Sequence, residues 1–214
     1  MVGTGALLES LDDPRVGSVI AVVRTPTGRT HPKLREIVHP DFYDFSSLTA
    51  DFAGSHACLF CLGVSSAGMS EAQYTSITRN IAVAAAESLA AANPSAVFCF
   101  VSGVGADSSE RSRTMWARVK GATENALLAL PLRATYIFRP AFIQPMRGVR
   151  SRTGSYRAFY TIMTPVLPVL RVLLPWHWTT TVKLGRAMLT AAIDGSPKRI
   201  LYSRDINRLA RRAR

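Results

Sequence analysis

Short apolar runs alternate with amphipathic stretches along most of the chain. Apolar runs of four to eight residues are typical of buried strands, and apolar positions three and four apart indicate helices. Strands are predicted at Ser18–Val23, Glu36–His39, Ala57–Leu62, Ala96–Val101, Ala134–Phe138 and Arg199–Tyr202. Helices are predicted at Gly3–Leu11, Ser70–Ala92 and Arg113–Ala129. A further helix is predicted to begin after a cap at Ser46 or Ser47, and another to run from a cap among residues 179–181 to Ile193. This alternation predicts an α/β fold with a doubly wound parallel sheet and ligands at the carboxyl ends of its strands.

The length of 214 residues fits one domain with a buried core, so 1–214 is interpreted as a single unit. Within it we assign a substrate lid to 146–181 and a C-terminal helix with a basic end to 182–214. The most apolar stretch, 158–178, contains three prolines and an arginine, which argues against a membrane-spanning helix. It is interpreted as a lid or as a surface for peripheral membrane contact.

The net charge of +12 comes from 22 arginines and four lysines. Such a balance is compatible with affinity for nucleic acid, anionic lipid or a phosphorylated cofactor. Because the arginines are spread over the whole chain, no nucleic-acid partner is expected. An alternative stays open in which the chain is a basic peripheral membrane or nucleic-acid binder, through Arg204, Arg208, Arg211, Arg212 and Arg214.

The three cysteines lie in apolar runs. Cys58 and Cys61 form a C-x-x-C within a predicted strand, where residues three apart face opposite sides. A metal or redox pair is therefore not expected, and buried free thiols, with Cys99 as the third, indicate a reducing compartment. The N-terminus has no signal-peptide pattern. The resulting prediction is a cytoplasmic protein without a metal site.

The start of the chain resembles the second half of a nucleotide-binding loop. In a Rossmann sheet the first strand is central, and a glycine-rich turn after it delivers the pyrophosphate to a helix N-terminus. Here the first helix has no strand before it, and Gly3 fits the third glycine of a G-x-x-G-x-x-G loop, although an ordinary helix start is the alternative. We expect the natural chain to extend upstream by about ten residues, with an apolar strand and two glycines.

Six motifs give the chain a family resemblance through their order and spacing. They are VVRT at 22–25, which ends the strand Ser18–Val23, DF at 44–45, CLGVSSAG at 61–68, VSGVGAD at 101–107, MWARVKG at 115–121 and FRPAFIQP at 138–145. Over nearly its whole length the chain resembles the atypical short-chain dehydrogenase/reductases, especially the epimerase-like branch related to the Tat-interacting protein oxidoreductase. The resemblance implies a Rossmann fold and NADP as the cofactor.

The resemblance also implies which residues contact the adenosine half of NADP. Arg24 is assigned to the 2′-phosphate, which a guanidinium binds by charge and forked donors. A solvated loop arginine is the alternative. Asp44 and Phe45 are assigned to the adenine, by hydrogen bond and by stacking.

Residues at strand ends are assigned to the other parts of NADP, namely the ribose, the pyrophosphate and the nicotinamide. Leu62, Gly63 and Val64 would line the ribose and pyrophosphate, and Gly63 suits a close backbone approach. Three residues of the FRPAFIQP motif would flank the nicotinamide, namely Pro140, Phe142 and Ile143.

The expected catalytic pair is incomplete. The family uses Tyr-x-x-x-Lys on a helix, and this chain has Trp116 and Lys120 at those places. An indole offers only an N–H donor and does not serve as an acid or base near neutral pH. Lys120 and Ser102 are the candidate catalytic residues, with Lys120 also assigned to the ribose, but Ser102 could equally end a strand. Tyr156 and Tyr160 are further phenols, within the predicted lid.

Two functions follow from these observations, and whether the protein is an enzyme stays open between them. The first is an NADP-dependent oxidoreductase of a small or lipophilic carbonyl substrate. The second is a catalytically impaired NADP-binding sensor or scaffold, for which Trp116 is the main support. The residues do not indicate the substrate, the oligomeric state or a physiological partner.

Overall fold

The computed structural model describes residues 1–148 and 177–212. Most of the predicted lid lies outside these residues, as do nearly all of the segment 158–178 proposed for membrane contact, the two lid tyrosines and Arg214. No helix within the described ranges is long and apolar enough to cross a membrane.

The predicted alternation of strands and helices is confirmed, with shifts of one to two residues at most boundaries. The helices are α1 (Val2–Asp12), α2 (Thr49–Ala53), α3 (Glu71–Thr75), α4 (Ile81–Ala92), α5 (Met115–Leu128), α6 (Thr181–Ile193) and α7 (Ser203–Leu209). The strands are β1 (Val19–Val23), β2 (Leu34–Val38), β3 (Ala57–Phe60), β4 (Val97–Val101), β5 (Ala134–Arg139), β6 (Phe142–Gln144), β7 (Trp178–Thr180) and β8 (Ile200–Tyr202).

All strand pairs of the described residues are parallel, as predicted. The larger sheet has the order β3-β4-β5-β8, a second sheet pairs β1 with β2, and a short third one pairs β6 with β7. Strands β4 and β5 are buried along their whole length, which explains their unbroken apolar sequences. The larger sheet and the β1–β2 sheet share no ladder, so the sheet is interrupted between β1 and β3.

Two apolar cores cover the two faces of the larger sheet. The α6-side core is formed by strand residues such as Phe138 with Met188 of α6 and Ile206 of α7. The α4-side core is formed by residues such as Phe98 and Leu89, with α2, α4 and α5 packed over it. Helices on both faces make this a doubly wound arrangement.

Helix α1 packs closely on α6 through two glycines. A Cβ on Gly5 would lie 2.7 Å from the Thr181 Cβ, and one on Gly185 would lie 3.1 Å from the Ala6 Cα. The contact also buries Glu9, whose carboxylate accepts from Arg186 Nε at 2.8 Å and pairs with Arg147 at 3.1 Å. This packing holds α1 on the same face as the α6-side core.

The predicted helix caps are partly right. Thr180 caps α6 by accepting from the Lys183 N–H, and Ser70 caps α3 in a capping box with Gln73. The cap predicted at Ser46 or Ser47 is wrong, because these residues form a 3₁₀ turn, and the Asp44 carboxylate accepts from the Ser46 N–H at 2.8 Å. The single helix predicted at 70–92 contains a π-helical turn at Ser76–Asn80 between α3 and α4.

Candidate functional site

The predicted site residues follow the carboxyl ends of the strands. Ser102 follows β4 and Pro140 follows β5, with Leu62 close behind β3 at the same edge of the larger sheet. Backbone hydrogen bonds fix this edge, since Ser102 N–H donates to Phe138 O at 2.8 Å and Val104 N–H donates to Pro140 O at 3.0 Å. This is the edge at which open parallel sheets bind ligands.

Arg24 directly follows β1 and is exposed. Within the described parts of the chain its guanidinium has no hydrogen bond or ion pair. The neighbouring loop is held separately, because Thr27 and its backbone N–H donate to Glu36. The Arg24 side chain is therefore available to an external anion.

Asp44 and Phe45 have different surroundings. The Asp44 carboxylate is exposed, and hydrogen bonds from the backbone N–H and the hydroxyl of Ser46 lower its pKa. Phe45 is only 3% exposed, and its ring packs against His39 with 5.3 Å between centroids and against Phe42 with 5.7 Å. The Phe45 ring thus has no free face for an adenine, whereas Asp44 does reach the surface.

The N-terminus of α1 lies beside the loop after β3. A Cβ on Gly3 would lie 3.4 Å from the Cβ of Cys61, the residue before Leu62. Gly63 and Val64 are exposed, and nothing lies within 4 Å of the place where a Cβ on Gly63 would be. The structure therefore places Leu62, Gly63 and Val64 close to a helix N-terminus, an environment that favours phosphate binding.

A buried ion pair lies behind Ser102. Glu124 of α5 is fully buried, and its carboxylate accepts hydrogen bonds from Arg139 Nε at 3.1 and 3.0 Å and from the other end of the guanidinium. The Ser102 hydroxyl also donates to Glu124. Burial lowers the pKa of Arg139, but the hydrogen bonds and charge of Glu124 and the contact with Tyr202 together outweigh burial, so the net shift is upward.

Two more hydroxyls complete this network, since Arg139 donates to the Tyr202 hydroxyl at 3.0 Å and to Ser108 Oγ at 2.6 Å. Sequence reasoning missed the pair. The available signal was that Glu124 follows Lys120 by four residues and so shares its helix face. Because the Ser102 proton is directed to Glu124, the Ser102 oxygen is left with lone pairs to accept a hydrogen bond.

Lys120 lies on the same face of α5 as Glu124. Its Nζ donates to Val101 O at 3.4 Å and lies 5.0 Å from the centroid of the Phe100 ring. Burial lowers the pKa of Lys120 to about 8, and the charge of Glu124 opposes this shift. An amine with such a pKa exchanges a proton close to neutral pH, which suits general acid catalysis.

Trp116 packs over the loop after β4. Its Cη2 lies 2.9 Å from the position of a Cβ on Gly105, whose φ of +91° also favours glycine. The same loop binds α5 at Gly121, where a Cβ would lie 1.7 Å from Asp107 O. The VSGVGAD and MWARVKG motifs are therefore parts of one contact.

The three residues predicted at the nicotinamide lie just after β5, where Pro140 is, and within β6, where Phe142 and Ile143 are. Pro140 is buried, and Ile143 packs against the α6-side core. Phe142 is 41% exposed and stacks on Trp178 with 5.1 Å between ring centroids. Of these three, Phe142 offers the largest accessible surface.

The three cysteines are free thiols. Cys58 packs against the α4-side core and Cys61 against the α6-side core, which confirms that they face opposite sides of the sheet. Burial raises the pKa of each thiol to about 12. Within the described residues, no group of three or more His, Cys, Asp or Glu side chains is placed to hold a metal ion.

Comparisons with known proteins identify the fold. No protein-family model matches the sequence, and no curated protein has a significant match. Among solved structures, the Bordetella bronchiseptica enzyme WbmH in complex with NAD+ has a TM-score of 0.68 at 15% identity, covering 94% of this chain and 71% of that chain. A short-chain dehydrogenase/reductase superfamily protein from Agrobacterium tumefaciens with bound NAD has a TM-score of 0.64 at 14% identity, covering 94% and 74%.

A third structure, the human epimerase family protein SDR39U1 with NADPH, has a TM-score of 0.52 at 15% identity and covers 94% of this chain and 70% of that chain. These likenesses confirm the predicted Rossmann fold and, at the level of the fold, the resemblance to NAD(P)-binding short-chain dehydrogenase/reductases. Similarity at these identities establishes the architecture alone.

Proposed function

We propose that this chain, which has the fold of the NAD(P)-binding short-chain dehydrogenase/reductases, binds NADP at the carboxyl edge of its sheet and reduces a small or lipophilic carbonyl compound. The observation that carries the proposal is the exposed Arg24 at the end of β1, without a partner in the described residues. A guanidinium at this strand end recognises a 2′-phosphate, which NADP has and NAD lacks.

The other residues proposed to contact NADP are those whose side chains or backbone are exposed at this edge of the sheet. Asp44 supplies an exposed, ionised carboxylate for the adenosine, and the open backbone at Gly63 faces the pyrophosphate beside the N-terminus of α1. Phe142 supplies an accessible ring near the nicotinamide end. The Phe45 ring is buried and already stacked on His39, so the proposal does not use it to stack on the adenine.

The proposed chemistry uses Lys120 in place of a tyrosine. When bound, NADPH supplies a hydride for the carbonyl carbon. The Lys120 ammonium donates the proton that the carbonyl oxygen gains, because the Trp116 indole does not titrate near neutral pH. Ser102 does not donate to the carbonyl oxygen, because its own proton is held by Glu124, and its oxygen accepts a hydrogen bond from the hydroxyl of the alcohol product.

A second function is favoured by the packing of Trp116 on Gly105. An indole that covers the loop after β4 serves a structural role at the position where a catalytic phenol is expected. In this alternative the protein binds NADP without turnover and acts as a sensor or scaffold. Cofactor binding without NADPH consumption on a panel of aldehydes, ketones and quinones distinguishes it from the first function.

The test of NADP preference is calorimetric titration of NADPH and NADH into the protein and its Arg24→Ala variant. Hydrogen bonds to charged groups contribute about 1.5–3 kcal/mol, so the variant loses roughly tenfold or more in NADPH affinity and keeps its NADH affinity. The control is Arg211→Ala, which removes the same charge from an exposed site at the other end of the chain. Equal losses for both nucleotides would contradict the role of Arg24.

A further inference from the structure

The hydroxyl of Ser102 has a fixed direction. It donates to the carboxylate of Glu124, which is fully buried, so solvent does not compete for this bond. The same carboxylate accepts from Arg139 Nε at 3.1 and 3.0 Å, and this pairing keeps it in the charged form, which has no proton to give back. The hydrogen bond between Ser102 and Glu124 therefore runs in one direction only.

The remaining lone pairs of the Ser102 oxygen are unused. Within residues 1–148 and 177–212, no group donates a hydrogen bond to this oxygen. Ser102 is half-buried and directly follows β4, at the carboxyl edge of the larger sheet. Polar atoms in such surroundings are usually paired. The Ser102 oxygen is thus an acceptor that the O–H group of a ligand can satisfy.

The ammonium of Lys120 lies at the same peptide group. Its Nζ donates to Val101 O at 3.4 Å, and Ser102 is the next residue along the chain. An ammonium has three protons, so two remain after this bond. Glu124, which holds the Ser102 hydroxyl, lies one helical turn after Lys120 on the same face of α5. The site therefore offers proton donors and an unused acceptor next to each other.

A substrate whose only polar group is a carbonyl uses half of this arrangement. Its oxygen accepts from Lys120, but it has no proton for Ser102 until the alcohol has formed. A carbonyl compound with a hydroxyl on the neighbouring carbon uses both halves, because the hydroxyl donates to Ser102 from the start. Since a partly buried acceptor without a donor weakens binding, compounds of the second class bind better.

We propose that the substrate of this site is an α-hydroxy carbonyl compound, recognised through a hydrogen bond from its hydroxyl to Ser102 Oγ. The inference rests on the proposed reductase function and narrows its substrate class. The carbonyl carbon receives the hydride from NADPH, the electron pair of the C=O π bond moves to the oxygen, and Lys120 gives that oxygen a proton. The products are a vicinal diol and NADP+, and Lys120 regains its proton from water.

The test compares pairs of ketones that differ in this hydroxyl. Initial rates of NADPH consumption are measured with hydroxyacetone against methoxyacetone, and with 2-hydroxyacetophenone against 2-methoxyacetophenone, because the methyl ethers keep the oxygen and lose the proton. One neutral hydrogen bond corresponds to roughly a fivefold preference in kcat/KM for the hydroxy ketone. The preference should lie mainly in KM, since the bond is present both before and during hydride transfer.

Two variants separate the hydrogen bond from the extra bulk of the methyl group. Ser102→Ala removes the acceptor and should bring the ratio of hydroxy to methoxy ketone close to one. The matched control is Ser95→Ala, an exposed serine just before β4 at the other end of that strand, which should keep the wild-type ratio. Calorimetric titration of the same ketones into the protein saturated with NADP+ gives a readout without reduction and should show the same order of affinity.

The possible failures of the two proposals are distinguishable. Equal kcat/KM within each pair, or a preference that survives in Ser102→Ala, would overturn the substrate assignment and leave the reductase function in place. If none of the four ketones leads to NADPH consumption, the reductase function is contradicted. Equal or absent binding within each pair to the NADP+ form would then overturn the contact with Ser102 as well.

Discussion

At the scale of single residues, the described part of the candidate site combines an exposed cation without a partner and a buried network of paired charges. Arg24 is exposed and unengaged in the described residues, whereas Arg139 is bound on all sides by Glu124, Ser108 and Tyr202. Lys120 lies between these extremes, half-buried over Phe100. Arg24 is therefore suited to binding an external ligand, and Arg139 to a structural role. Lys120 is suited to proton transfer.

Lys120 makes stability depend on pH in a defined window. Its pKa in the folded protein is lowered to about 8 from the ordinary 10.5, so between these values the unfolded chain binds more protons than the folded one. Stability conferred by this group therefore rises as pH increases from about 8 to about 10.5. Urea denaturation of wild type and Lys120→Met across this range should show a rise in wild type relative to the variant. Parallel pH profiles would contradict the lowered pKa.

At the scale of elements, the sequence pattern predicted the six strands of the two larger sheets because most buried parallel strands are unbroken apolar runs, but it did not predict β6 or β7. The run at Val97–Val101 and the stop at Asn93-Pro94 were unambiguous. The π turn at Ser76–Asn80 was not predictable, since its residues fit an ordinary helix equally well.

The positions of the candidate residues are predictable where strand ends determine them and unpredictable where side-chain packing determines them. Arg24, Ser102 and Pro140 lie at the ends of predicted strands, whereas their roles come from the family resemblance and stay predictions. The burial of Phe45 and the pairing of Glu124 with Arg139 join residues far apart in sequence, and no local pattern reports such contacts.

The Glu124–Arg139 pair connects α5 to β5, and breaking it should weaken that connection. Glu124→Gln leaves the Arg139 charge buried without its counter-charge, so we expect a loss of about 3 kcal/mol or more in the free energy of unfolding. The control is Glu71→Gln, whose pair with Arg118 is largely exposed and should cost less than about 1 kcal/mol. Chemical denaturation measures both, and similar losses would argue against a structural role for the buried pair.

At the scale of the whole molecule, the two cores and the helices on both faces define a doubly wound domain with its ligand edge at the strand ends. The interruption between β1 and β3 lies beside the N-terminus of α1, next to Gly63 and Val64. The proposed NADP site lies at this end of the sheet.

The most direct measurement of the central claim is calorimetric titration of NADPH and NADH into the protein. We expect it to bind NADPH at least about tenfold more tightly than NADH, because of the extra hydrogen bonds of the 2′-phosphate. Absence of binding of either nucleotide to the folded protein would contradict the assignment of this sheet edge as a nucleotide site.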